Sequence, residues 1–416
     1  MIIRSPGAAA IMLHKRRRED DQNQHAVVGG GGRGKRSRWN RQHLYLVLDD
    51  WDKGFSVHKI DADSFVSCSG SDSDDDDDDH QGVIARHLPE PPALRLESHD
   101  GHDEADTDMA FSAMGTKIFV LMNGRCGLIY DADTAVLAVG AGAHAAPAQM
   151  PCGFGISVHV GDVLFLLTYR FFDDHGQHSF EAMSWAPTAA AALDLDTTKG
   201  GWSWNTLPAP PPTFTTRQCV VSHAVHPDGH TIFMTTANRD TPSAPLATYS
   251  FNTNEATWRW HGECALPFLE QGHFDAELNA WIGLRQDGYI CSCQAVSADF
   301  FSMPPLRKHF AYIDPNMYLD CQTTKEKLFR KDPKRYMRAS LTSMGSGRFC
   351  LVECVASKRG RKLPLFGNYD GCVLHRTIFG LKYNDKGELQ TTDDRSTRSF
   401  IVSRHISHFA PFAFWM

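Results

Sequence analysis

One short grammar recurs along this chain, and it leaves few folds open. A strand of small apolar residues runs into a tight turn, a strongly apolar strand follows, and a third strand ends in Tyr or Phe. In residues 109–134 the first turn is Met114-Gly115-Thr116-Lys117 and the third strand is Leu128-Ile129-Tyr130-Asp131. Residues 156–169 repeat the opening around Val160-Gly161-Asp162, and residues 220–236 do so around Pro227-Asp228-Gly229. Residues 272–294 turn at Glu277-Leu278-Asn279, and residues 339–355 at Gly345-Ser346-Gly347. Gly, Asn and Asp sit where positive φ must be tolerated. Several units leave through proline, as at Leu207-Pro208, Leu266-Pro267 and Met303-Pro304, because proline cannot donate to a ladder. Copies roughly 45 to 70 residues apart, each with four strands, predict blades of a propeller and not a sandwich.

Six units can be counted: 43–98, 109–150, 152–212, 218–268, 272–310 and 339–395. The first, a hairpin over 43–61 turning at Asp52-Lys53-Gly54, lacks the small-residue strand that opens the others. Either 399–402 or 409–415 can supply it, joining the two chain ends in one blade and leaving no open edge. Helical periodicity is scarce; residues 189–195 are the best candidate. The fold class expected is all-β: a propeller of six four-stranded blades.

Charge divides the chain. Residues 1–41 hold ten Lys/Arg and three Asp/Glu, so a net −7 overall leaves −14 on residues 42–416. The first 41 residues, with Gly29-Gly30-Gly31-Gly32, bury too little apolar area to offset ordering entropy and are expected to be disordered. The acidic body, 42–416, is a poor surface for a phosphate backbone. Eleven cysteines, an odd number in a large chain, speak for a reducing compartment and against a disulfide framework. No apolar run reaches the ~18 to 20 residues of a membrane helix, so no membrane partner is expected. The opening apolar patch precedes its basic cluster, the reverse of a secretory signal.

Each candidate site has a plainer structural reading. Cys291-Ser292-Cys293 puts two thiols on one strand face, yet zinc wants four ligands and no second pair has matching spacing. Cys350 and Cys354 share a face in the same way. His223, His226 and Asp228 suggest a metal site or an acid–base pair, but Pro227-Asp228-Gly229 is an ordinary turn. Asp72 and Asp74 to Asp79 lack the glycine and spaced glutamate of a calcium loop, which leaves 66–82 as a solvated insertion in the first blade. Lys15, Arg16, Arg17, Arg18, Lys35, Arg36 and Arg38 form exposed basic clusters that suit a nuclear import receptor or, nonspecifically, nucleic acid. No nucleophile elbow, phosphate loop or dinucleotide fingerprint occurs, so no catalytic residue, metal or cofactor is assigned.

Two resemblances follow from particular residues. The segment from Ala113 to Val120, with Tyr130-Asp131-Ala132-Asp133-Thr134, resembles a kelch blade, as do residues 249–258 followed by Leu266-Pro267; the kelch double glycine is absent. Across nearly the whole folded part, the markers are His43 to Trp51, His223-Ala224-Val225-His226-Pro227-Asp228-Gly229, Glu277 to Leu284, Arg348-Phe349-Cys350-Leu351-Val352-Glu353 and the terminal Ala413-Phe414-Trp415-Met416. Together they look like a grass-expanded plant family, domain of unknown function 1668, regarded as kelch-like. That resemblance implies a propeller and a plant source, with no established activity. No F-box helix pair precedes the blades.

The function expected is a non-enzymatic protein-interaction scaffold in the nucleus, the cytoplasm or both, its loops presented on a rigid ring to an unidentified protein partner. Arg170, Arg239 and Arg285, near loop ends, are the contact candidates. One alternative is a hydrolase or oxidase with its site in the propeller channel, which buried carboxylates or histidines there would favour. The other is a nuclear protein touching nucleic acid through its basic tail.

Overall fold

The computed structural model describes residues 42–51, 54–61, 86–97, 109–122, 126–139, 155–168, 178–187, 200–215, 217–241, 244–295, 321–328, 336–356, 372–402 and 411–416. Regular structure among them is strand, and no helix of these residues is long and apolar enough to cross a membrane. The basic clusters of 1–41, the acidic stretch 66–82, Arg170 and the helical candidate 189–195 lie outside the described residues.

The first meander contains β1 (His43–Trp51) and β2 (Gly54–Asp61); β3 (Arg86–His87) and β4 (Leu94–Glu97) follow in the chain. Next come β5 (Met109–Met114), β6 (Lys117–Met122), β7 (Cys126–Asp131) and β8 (Val136–Val139). The third meander is β9 (Gly155–Val160), β10 (Val163–Thr168), β11 (Ser179–Pro187) and β12 (Gly200–Thr206). The fourth is β13 (Gln218–Val225), β14 (Thr231–Asn238), β15 (Ala247–Asn252) and β16 (Thr257–Gly262). The fifth is β17 (Leu269–Asp275), β18 (Ala280–Leu284), β19 (Ile290–Cys293) and β20 (Cys321–Thr323). The last runs through β21 (Tyr336–Gly345), β22 (Arg348–Ala356) and β23 (Cys372–Tyr383), which also pairs with β24 (Leu389–Thr391), to β25 (Ser396–Val402); β26 (Phe412–Trp415) ends the chain.

Five of these units are antiparallel in chain order, and the first reads β26-β1-β2-β4. The last strand of the chain is therefore the first strand of the first meander. Leu44 pairs with Trp415 and Val47 with Phe412, and His43 and Met416 exchange backbone hydrogen bonds of 2.6 and 3.1 Å. Of the two segments that could have closed this unit, only the later one does. Residues 396–402 instead form the fourth strand of the last meander, opposite Cys372 to Ile378, and also carry β3 in parallel. The fifth meander departs from expectation too. Its fourth strand lies at Cys321–Thr323, beyond the expected limit at 310, because the register with β19 selects it and not closeness along the chain.

Each strongly apolar second strand is explained by its two neighbours. In β1, Leu44, Leu46 and Leu48 pack against the last meander, while Tyr45 and Val47 pack against the second. In β10, Leu164 and Leu166 face the second meander and Phe165 and Leu167 the fourth. In β22, Phe349 and Leu351 face the fifth and Cys350, Val352 and Cys354 the first. A strand covered on both faces loses the apolar–polar alternation of a half-buried one. Hydrophobic clusters accordingly fill the junction of every consecutive pair of meanders, the first and last included. Sheets standing face to face around an axis make a β-propeller. Its hairpins turn as the sequence requires: Gly115 and Gly161 sit at φ 58° and 56°.

Candidate functional site

The strands β5, β9, β13, β17, β21 and β26 adjoin one another in that order, and Phe412 of β26 meets Phe111 of β5 with ring centroids 5.4 Å apart. Between them lies a cavity of about 900 Å³ that touches all six strands. Its lining holds one concentration of ionisable groups. The parallel ladder of β13 and β17 sets Ser222 beside Glu270 and His223 beside Gln271. Arg338, on β21, holds Glu270 at 2.7 Å. His273 reaches the same strand, donating from Nε2 to the Leu341 carbonyl at 2.9 Å. His159, on β9, completes the group.

These side chains differ in how the fold treats them. His223 is 8% exposed, and its Nε2 has no hydrogen-bond partner. Burial first, and the neighbouring His273 second, push its pKa down to about 4, so the imidazole is neutral at pH 7. His273 is lowered by burial as well, partly offset by its carbonyl partner; that bond fixes the proton on Nε2 and leaves a lone pair on Nδ1. Glu270 has the left-handed φ of 58° at a break in register between Leu269 and His273. Such a bulge turns a side chain out of the ladder at a cost in backbone energy; here it brings the carboxylate to Arg338. The channel thus offers neutral imidazoles that donate and accept hydrogen bonds, beside a compensated ion pair. The remaining lining contributed by β26, Phe412, Phe414 and Trp415, supplies aromatic surface.

The residues singled out in the sequence separate. His226 and Asp228 are turn groups: Asp228 accepts from the backbone of His230 and Thr231 at 2.8 and 2.9 Å and pairs with His226 at 2.9 Å. Asp131, Asn252 and Asp275 cap their turns in the same way. His223, read with them as part of a turn, stands apart in the channel wall. Cys350 and Cys354 are core residues between the last and first meanders, with Cys372 hydrogen-bonded to Cys354. Cys291 and Cys293 are buried and meet a third thiol, Cys321, which the sequence pattern did not connect to them. Among the described residues no three His, Cys, Asp or Glu side chains are grouped to hold a metal ion. Arg285 lies at the channel, bound to Asp287 at 3.0 Å; Arg239 lies near His178, and nothing brings the two arginines together.

His159, His273, Glu270 and Arg338 escaped sequence reasoning because more than 170 residues separate the first from the last. One signal was present. Three consecutive meanders carry a histidine one or two positions before the end of their first strand: His159, His223 and His273.

The DUF1668 family, described as proteins of unknown function, matches residues 41–400. The chain belongs to that family. No curated protein matches this DUF1668 chain. Among solved structures it is similar to a structural genomics protein of unknown function from Bacteroides thetaiotaomicron, at 10% identity and TM-score 0.36, over 84% of this chain and 78% of that one. Apo AztD from Citrobacter koseri is similar at 9% identity and TM-score 0.31, over 90% and 98%. The β-propeller domain of Cps50 (Swd1) from Myceliophteria thermophila is similar at 12% identity and TM-score 0.27, over 68% and 85%.

Proposed function

We propose that this DUF1668 protein is a non-enzymatic interaction scaffold that binds a protein partner, in the nucleus, the cytoplasm or both. The observation that carries this reading is a pair of exposed tryptophans on a rigid frame. Trp185 on β11 and Trp260 on β16 are 51% and 57% exposed. Tryptophan is enriched among the anchors of protein interfaces, and both stand on paired strands: Trp185 packs edge-on against Trp202 at 5.5 Å, and Trp260 lies opposite Tyr249 in the ladder. Partner retention on immobilised full-length protein tests the reading. The double variant Trp185→Ser, Trp260→Ser is expected to lose most of the retention that wild type shows at equal loading, and deletion of 1–41 to leave it unchanged. Retention that survives the double variant and disappears with the tail transfers binding to the basic segment. Steep salt dependence of DNA retention is then the expected signature.

The second reading, a ligand or catalytic site in the channel, is favoured by the convergence of His159, His223, His273 and Glu270 on one cavity. Neutral imidazoles of lowered pKa in a cavity mark a candidate site and can accept or donate hydrogen bonds to a ligand. A small-molecule screen read by thermal shift tests it: ligands that stabilise wild type and not His223→Leu support the channel, and equal stabilisation of both places them elsewhere.

A further inference from the structure

A second cluster of reactive chemistry lies at the outer edge of the fifth meander, away from the tryptophans. Strands β18, β19 and β20 bring together Cys291, Cys293, Cys321 and Arg285. Cys293 is the direct ladder partner of Cys321, and Cys291 is the partner of Thr323. Ladder partners share a face, and so do residues two apart on one strand, so the three thiols project to the same side.

The kind of ladder site matters. Thr324 N–H donates to the Ile290 carbonyl at 2.9 Å, which marks that pair as hydrogen-bonded. Antiparallel pairs alternate, so Cys291 and Thr323 are non-hydrogen-bonded, Ser292 and Gln322 hydrogen-bonded, and Cys293 and Cys321 non-hydrogen-bonded again. In that class the Cα atoms stand about 4.5 Å apart with side chains closest, inside the roughly 4.4 to 6.8 Å that a disulfide spans.

The three sulfurs are not equivalent. Cys291 and Cys293 are fully buried, whereas Cys321 is half-buried. Arg285 Nη1 lies 3.8 Å from the Cys321 sulfur, with Asp287 holding the other side of the guanidinium at 3.0 Å. The hydrogen bond between Cys291 and Cys321, ahead of burial, drives the Cys291 pKa far up. The Cys291 thiol itself donates to the Pro267 and Gly283 carbonyls, both at 3.6 Å. A guanidinium beside a partly exposed sulfur is what favours thiolate there. Among the described residues, Lys325 pairs with Glu388 at 2.8 Å and Glu326 with Arg395 at 3.4 Å, and Lys327 lies over the Tyr289 ring at 5.2 Å. Neighbouring β24, Leu389–Thr391, contributes no ionisable side chain.

We propose that Cys321 is an oxidisable thiol and Cys293 its resolving partner, joined across the β19–β20 ladder by hydroperoxides. The Cys321 thiolate attacks one oxygen of hydrogen peroxide and breaks the O–O bond. Sulfur is oxidised to sulfenic acid, and the leaving hydroxide takes up a proton to become water. The Cys293 sulfur then attacks the sulfenic sulfur, its proton leaves with the departing oxygen as a second water, and the disulfide closes. In total two thiols are oxidised and one peroxide is reduced to two waters. The bond ties a three-residue edge strand to its sheet and removes the anion facing Arg285, a residue of the channel wall.

Full-length protein tests this directly. Alkylation by iodoacetamide, followed residue by residue by mass spectrometry, is expected to modify Cys321 at about pH 6 roughly ten-fold faster than half-buried Cys219. Arg285→Gln moves the Cys321 profile up toward the ordinary thiol range near about pH 8.5. After peroxide, a non-reducing digest yields a Cys293–Cys321 peptide, and Cys293→Ser leaves Cys321 as a sulfenic acid that dimedone traps. Cys321 reacting no faster than Cys219, an unmoved profile in Arg285→Gln, or a disulfide lacking Cys321 overturns the proposal. The wild-type profile alone decides the first point should a variant fail to fold, and none of these readouts depends on partner retention.

Discussion

The seam between the third and fourth meanders and the channel wall are built from strands of the same sheets, yet they spend free energy in opposite directions. The seam is aromatic. Phe180, Phe251 and Trp258 meet with ring centroids 4.7 to 5.1 Å apart, and Phe251 is completely buried. The indole nitrogen there is satisfied, since Trp258 Nε1–H donates to the Pro208 carbonyl at 2.9 Å. The channel wall carries a histidine whose Nε2 has no hydrogen-bond partner, a residue at left-handed φ and an ion pair that solvent still reaches. Stability resides in the seams. The wall is where the fold tolerates features that stability alone does not favour.

The sharpest way to break this contrast is to truncate the seam. Phe251→Ala is expected to cost about 3 to 5 kcal/mol in denaturant unfolding, the range for an aromatic removed from a packed interior. A loss below about 1 kcal/mol would show that the meanders are held together elsewhere.

Acid is expected to act through the wall next. The native pKa of His223, about 4, lies below the ordinary 6.5, so below pH 6.5 the unfolded chain takes up a proton that the fold refuses. Stability is full above that value and drains away as pH falls toward 4, by up to about 3 kcal/mol from this residue. His178 and His261, also held at about 4 by burial, act in the same sense. Glu353, pushed up to about 7 by burial, acts oppositely: its contribution is full below about pH 4.5 and is lost as pH rises toward 7. Unfolding curves of wild type and His223→Leu between these limits isolate the histidine, and parallel curves would remove it from the account.

A smaller effect is expected where the fourth and fifth meanders meet. The Phe268 ring lies across Gly272 and Gly283, and a Cβ at either position would overlap it. Gly272→Ala is expected to cost about 1 to 3 kcal/mol through overpacking, read as a lowered melting temperature. Recovery in Gly272→Ala, Phe268→Leu would confirm that the ring is the obstacle. Glu270→Gln should do least, under about 1 kcal/mol, because both partners of that pair remain partly exposed. A larger loss would mean that the bulge depends on the ion pair.

The repeats were legible because a blade enclosed between two others needs the same residues each time. Ile118 to Leu121, Leu164 to Leu167 and Ile232 to Met234 read as continuous apolar runs, and each is covered on both faces. The turn at Met114-Gly115-Thr116-Lys117 was legible for an equally local reason, since few residues accept positive φ. Closure was half legible: two segments near the C-terminus had the right character, and only the pairing of Phe412–Trp415 with β1 chose between them.

What the amino-acid order determined by itself was therefore local and periodic: strand, turn, strand, and the apolar content that obliges such units to stack. What only the tertiary structure decided was which distant positions meet. His159, His223, His273, Glu270 and Arg338 converge because ring closure brings first strands together, and Cys321 reaches Cys293 because a ladder register selects a three-residue strand beyond a long connection. Periodicity along one strand carries no record of its partners' register, and contacts between strands far apart in the chain depend on nothing else.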